Sequence, residues 1–198
     1  MTRSIKKKQA IIEAAIAEFK KNGYKTTSMD QIAATAGVSK RTVYNHFASK
    51  ELLFDAILTQ LLTLFTTSVS ITYRPDDSLS AQLIDIAQQE LGLLSDPAFI
   101  DLAKVIMAEA IHSPQRINEA LAEVENRDGN LSSWITAAVT NGALQVDDVD
   151  FAAMQFFALL KAFCFWPQVV QGQPFPDKVQ QESIIASAVK MFLGSYQV

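Results

Sequence analysis

Apolar residues recur every three or four positions along most of the chain, the period of an amphipathic helix. Ile12, Ala15, Ile16 and Phe19 mark one face of a first helix, and Asn22-Gly23 supplies its stop. Ser28-Met-Asp-Gln31 has the spacing of a capping box, with the Ser28 hydroxyl accepting from the backbone N–H of Gln31 while Gln31 reaches back. A second helix is therefore expected from Met29 to about Ala36, ended by Gly37. Ser39 caps a third short helix to about Phe47, and Ser49 a fourth that carries Leu52, Leu53, Ile57, Leu61 and Phe65. Further helices are expected at 79–94, 97–112, 115–126, 129–142, 149–166 and 178–195. They are separated at Arg74-Pro-Asp-Asp-Ser78, Asp96-Pro97, Ser113-Pro114, Asp128-Gly129, Asn141-Gly142 and Gly172-Gln-Pro-Phe-Pro176. With no alternating strand pattern of useful length, the expected fold is all-α.

The second and third helices have the spacing of a helix-turn-helix. Ala33 is small enough for close approach, Gly37 suits a left-handed turn, and Val43 is placed to pack back. Val43 and Phe47, four apart, share the inward face. That leaves Lys40, Arg41, Thr42, Tyr44 and Asn45 around the exposed side and end of the third helix, a surface able to enter a major groove.

Charge sharpens this picture. The net charge of −4 hides two opposite parts: residues 1–50 hold ten Lys and Arg against three carboxylates, leaving +7, while the other 148 hold seven against eighteen, leaving −11. A basic end on an acidic body suits a module that meets a polyanion at one end only. Lys6, Lys7 and Lys8 read either as a frayed, solvated arm or as one that reaches an adjacent minor groove. The expected division is a basic helix-turn-helix module at 1–50 and an acidic helical body at 51–198.

Composition excludes several classes. At 198 residues, 49% hydrophobic and 19% charged, the chain is an ordered globular protein. The single cysteine, Cys164, excludes a disulfide scaffold and a Cys-rich metal site, and buried packing is its expected role. With only two histidines, His46 and His112, no metal constellation is visible, and no cofactor is expected. The longest apolar stretch, residues 156–166, is interrupted by Lys161 and falls short of the roughly 20 residues that cross a bilayer. The basic N-terminus is followed by Glu13 and Glu18 and lacks the apolar run of an export signal, so a cytoplasmic protein is expected. No nucleophile, base and orienting group share a spacing, which argues against an enzyme.

The segment Ile32-Ala33, Ala36-Gly37-Val38-Ser39, Thr42-Val43-Tyr44, His46-Phe47 and Ser49-Lys50-Glu51 closely resembles the N-terminal pattern of the tetracycline-repressor (TetR) family of bacterial transcription regulators. The resemblance covers residues 8–58. It implies that Thr27 or Ser28, Tyr44, His46 and Lys50 hold phosphates of a double-stranded operator, and that Lys40, Arg41 and Thr42 meet bases or nearby phosphates. Ser39 is a helix cap first. Arg41 stands where many relatives have Gly, and Asp30 where some have a basic residue; Asp30 is expected to serve the start of its helix.

In the acidic body, residues 151–166 are apolar almost all round, and Ile184, Ile185, Ala188, Val189, Phe192 and Leu193 add a second apolar face. Together they suit a two-fold four-helix interface, which agrees with the way TetR-like proteins dimerise. A dimer presents two reading helices to a nearly palindromic site. Phe65, Phe99, Met107, Trp134, Phe156 and Phe163, with His112, Asn118 and Gln155 among them, are read either as plain core or as a pocket for a small apolar or aromatic effector. Glu109 and His112, three apart on one helical face, could form a proton-transfer pair, with a solvent or N–H partner the expected one for His112. The expected function is an effector-released homodimeric repressor, with an effector-independent architectural or cell-division partner protein as the alternative.

Overall fold

The computed structural model of the protein describes residues 3–67, 71–111, 114–115 and 131–198, with side chains for all of these except 65–67. Ten helices are present among the described residues: α1 Arg3–Asn22, α2 Met29–Thr35, α3 Lys40–His46, α4 Lys50–Thr67, α5 Leu79–Leu94, α6 Pro97–Ala110, α7 Leu131–Thr140, α8 Val149–Cys164, α9 Trp166–Val170 and α10 Lys178–Tyr196. Residues 114–115 are helical; the rest of the expected helix 115–126, with His112 and Asn118, lies outside the described residues. So does the Phe65 side chain. The only extended pairing among the described residues is a single antiparallel bridge between Leu144 and Gln197.

Local chemistry accounts for most helix starts. At α2 both halves of the capping box form, Gln31 N–H donating to Ser28 Oγ at 3.2 Å and Ser28 N–H to Gln31 Oε1 at 2.7 Å. Ser39 and Ser49 accept from Thr42 and Leu52 N–H at 3.2 and 3.3 Å, and Ser78 caps α5. Asp177 and Gln180 form a second capping box at the start of α10. Gly23 and Gly37 take φ values of +81° and +64°, and so end α1 and shape the turn after α2.

One expected helix, 149–166, is divided. α8 stops at Cys164, Phe165 leaves helical geometry at φ −135°, and α9 starts anew at Trp166. Pro167 has no N–H to give the Phe163 carbonyl four residues back, which breaks the ladder there. The Gln168 side chain supplies a substitute, its Nε2 donating to that carbonyl at 3.3 Å.

The described residues within 1–64 and 101–124 make one compact unit, and those within 65–100 and 125–198 another. In the first, Ile11, Ile12, Ala15 and Phe19 of α1 pack with Ile32 and Ala33 of α2, Val43 of α3, Phe47, Leu53, Phe54 and Ile57 of α4, and Leu102, Val105 and Ile106 of α6. Phe19, Tyr24 and Phe54 form a ring cluster with centroids 5.2–6.4 Å apart. The second unit centres on Trp134, Phe156, Leu83, Leu94 and Ile135, all nearly or fully buried. Its polar hub is the buried Gln82. Oε1 accepts from Arg74 N–H at 2.8 Å and Trp134 Nε1 at 3.1 Å, and Nε2 donates to the Arg74 and Asp77 carbonyls at 2.8 and 3.0 Å.

Candidate nucleic-acid interface

The turn after α2 is closed by Gly37 N–H donating to the Ala34 carbonyl and Val38 N–H to the Ala33 carbonyl, both at 3.1 Å. Val43 and Phe47 are buried beneath it, so α3 is clamped along its inner side. Its outer side is open: Arg41, Tyr44 and Asn45 are exposed, and Thr42 and His46 are half-buried. Tyr44 has 44% of its surface accessible, which leaves the ring as well as the hydroxyl available to a partner. Ser39 and Ser28 are exposed as well, each holding its helix cap. Thr42 Oγ1 shares a 2.8 Å hydrogen bond with Ser39 Oγ.

The basic groups of the motif differ sharply in how they are engaged. Lys40 Nζ lies 2.9 Å from the Asp30 carboxylate, whose hydrogen bond and charge raise the Lys40 pKa above its ordinary value. Asp30, expected to serve only the start of α2, therefore also ties that helix to α3. Arg41 makes no side-chain hydrogen bond or ion pair among the described residues.

Lys50 and Thr27, expected to face phosphates, turn inward. Lys50 Nζ donates to the carbonyls of Tyr24, Thr27 and Lys25 at 2.7, 2.9 and 3.2 Å and sits 4.6 Å above the Tyr24 ring. All three ammonium protons thus point at the α1–α2 loop, and in this arrangement none is left for a phosphate. Thr27 is 2% exposed and donates to the Gly23 and Glu18 carbonyls at 2.9 and 3.3 Å. Both residues hold the loop that presents Ser28.

The N-terminal segment also differs from expectation. Lys6, Lys7 and Lys8 belong to α1, which is helical from Arg3, rather than to an arm, and Lys8 Nζ lies 5.7 Å over the Phe47 ring. Arg3, Ser4 and Lys7 face Thr42, Asn45 and His46 across a cleft of about 310 Å³. Arg3 and Ser4 were missed from sequence; the signal was the Arg3/Lys7 spacing of four.

The residues considered for an effector site belong to both units. Trp134, Phe156 and Phe99 are buried in the second unit, with Phe99 6.4 Å from Phe165; Met107 belongs to the first unit. Phe163 is exposed and lines an open groove of about 620 Å³ with Pro167, Gln168, Pro174, Phe175 and Val179. Gln155 accepts from the Tyr196 hydroxyl. Cys164 is fully buried, and that burial pushes its thiol up to about 11. Among the described residues no group of His, Cys, Asp and Glu could hold a metal ion, and no helix is long and apolar enough to cross a membrane.

Residues 11–57 match the family model described as bacterial regulatory proteins, tetR family, and residues 81–198 the one described as AefR-like transcriptional repressor, C-terminal domain. The chain belongs to the TetR family. It is thus a DNA-binding transcriptional regulator of repressor type and not an enzyme. The HTH-type transcriptional regulator RutR of Escherichia coli (strain K12) is 28% identical over 177 residues, 87% of this chain and 82% of that one. A TetR family transcriptional regulator from Pseudomonas syringae pv. tomato str. DC3000 superposes with a TM-score of 0.85 at 43% identity, all of both chains being covered. The flavonoid-responsive regulator FrrA superposes with a TM-score of 0.72 at 28% identity, covering 96% of this chain and 97% of that one.

Proposed function

We propose that this TetR-family protein is a homodimeric, cytoplasmic repressor that reads a palindromic operator with α3 and is released by a small apolar or aromatic effector. The observation that carries the reading is the polarity of α3: its Val43 is buried on the inner side, while Arg41, Tyr44 and Asn45 stand exposed on the outer. Arg41, with no internal partner among the described residues, suits bidentate contact to a guanine edge; Tyr44, Ser28 and Ser39 suit phosphates, and Lys40, Thr42, Asn45 and His46 flank them. Residues 1–50 supply this surface and 51–198 the dimer contacts and effector site.

Dimerisation is supported by α8 and α10. Phe151 and Met154 of α8 and Met191 of α10 are all more than half exposed, an apolar surface that association would cover. For the effector, the apolar groove beside Phe163 and the likeness to FrrA, a flavonoid-responsive regulator, both favour an aromatic compound. Release follows if the effector binds the conformation with misaligned heads more tightly; a coupling of about 1–3 kcal/mol changes operator affinity some 5- to 150-fold. α4, whose chain runs on from the first unit, is the connecting element. Sedimentation at micromolar concentration, then titration of the DNA complex with flavonoids and other aromatics, tests the reading. A dimer released by one compound supports it. A monomer, or a complex that no compound dissociates, counts against the dimer and the effector respectively.

A further inference from the structure

We propose that the cleft between the first turns of α1 and the outer side of α3 is a second phosphate-binding site, in which Arg3 and Lys7 hold a DNA backbone phosphodiester beside the groove that α3 reads. The inference rests on the DNA-binding reading above and assigns its main electrostatic contacts to residues outside the helix-turn-helix. Arg3 and Lys7, four apart, share one face of α1, and Thr42, Asn45 and His46, at spacings of three and four, share one face of α3. The two faces meet across about 310 Å³, with Ser4 completing the wall.

Every lining side chain can donate a hydrogen bond, and no carboxylate is among them. Arg3 and Lys7 have no ion-pair partner among the described residues, and the first turn of α1 holds no acidic residue. The contrast with the motif's own cations is direct. Lys40 is neutralised by Asp30 and Lys50 is engaged by three carbonyls. Arg3 and Lys7 carry charge that no described carboxylate offsets, at a cleft whose other wall is the reading helix. A guanidinium and an ammonium held on one face of a helix suit a fixed backbone position better than the floor of a minor groove.

The test uses the full-length protein, its selected operator duplex and a random duplex of equal length. Arg3→Gln/Lys7→Gln is expected to weaken binding to both duplexes by the same factor. It should also make the dependence of log Kobs on log salt shallower by about 0.9 for each phosphate that is no longer neutralised. Lys6→Gln, on the same helix but outside the cleft, removes one charge and should leave both nearly unchanged. Neutral methylphosphonate links placed singly along the operator should identify one phosphate per half-site whose neutralisation weakens binding of the wild type but not of the double variant. An unchanged salt slope, a weakening confined to the operator, or an equal effect of Lys6→Gln would overturn the proposal. If the wild type bound no duplex, or if Arg41→Ala left base preference intact, the α3 reading itself would fail, a result distinct from a failure of the cleft alone. Matching circular dichroism and melting of the variants guards against a folding effect.

Discussion

Lys50→Met removes the ammonium that joins the start of α4 to the α1–α2 loop while keeping an unbranched apolar stem over Tyr24. Its three hydrogen bonds, at 2.7, 2.9 and 3.2 Å, are charge-assisted. Bonds of this type contribute about 1.5–3 kcal/mol each when buried. The ammonium is only part-buried, so the freed carbonyls recover water, and the three do not add in full. Removing the cation from above the ring, where it sits at 4.6 Å, costs roughly a further 0.5–1 kcal/mol. A net destabilisation of about 2–3 kcal/mol is expected, on the scale of a few net hydrogen bonds. For a chain of this size that lowers the melting temperature by about 4–12 °C. Thermal melts followed by circular dichroism measure it, alongside DNA binding at several salt concentrations. The expected result is a lower melting temperature, with a salt slope that is unchanged below the transition. A variant that melted like the wild type but showed a shallower salt slope would instead make Lys50 a direct phosphate ligand.

Four further outcomes follow from the same geometry. Asp30→Asn breaks an exposed ion pair, so the melting temperature should hardly change. DNA binding should tighten, because a carboxylate beside the reading helix is gone and Lys40 is released; titration of random duplex checks this. Arg41→Ala should flatten base preference at one position of the half-site, measured by single-base operator variants, with little change in binding to random DNA. Phe151→Glu with Met154→Glu places charge on the outward face of α8 and should yield a monomer by sedimentation while helix content is kept. Cys164, whose thiol is pushed up to about 11 from 9.0 by burial, should resist thiol reagents at pH 8 until the protein is denatured. The native state keeps the proton where the unfolded chain releases it, so this residue's contribution to stability falls as pH rises between those two values.

What could be read from the sequence was local. The caps Ser28, Ser39 and Ser49 and the turn at Gly37 depend on residues within a few positions, and each is present in the structure. Both ends of α5 were legible because Ser78 starts it and the apolar period runs unbroken to Leu94. The division at Phe165 was masked by a continuous apolar run, since the break depends on which carbonyl Pro167 leaves without a donor. At the site, the exposed side of α3 followed from a spacing of four between Val43 and Phe47. The inward turn of Lys50 did not, because its acceptors come from a loop 23 to 26 residues earlier, and a sequence records only the charge. The cleft at Arg3 and Lys7 was hidden for the same reason: it exists only where α1 and α3 meet. The Gln82–Trp134 bond, across 52 residues, organises the second unit without any local signature.

In the proposed function α3 reads a defined DNA sequence as part of a two-fold assembly. Selection of bound duplexes from a random pool by the purified full-length protein tests it most directly. Enrichment of one near-palindromic site whose half-sites lie about one helical turn apart is expected, with preference lost at a single position of each half-site in Arg41→Ala. Recovery of no preferred sequence, or of a single half-site without a symmetric partner, would contradict it.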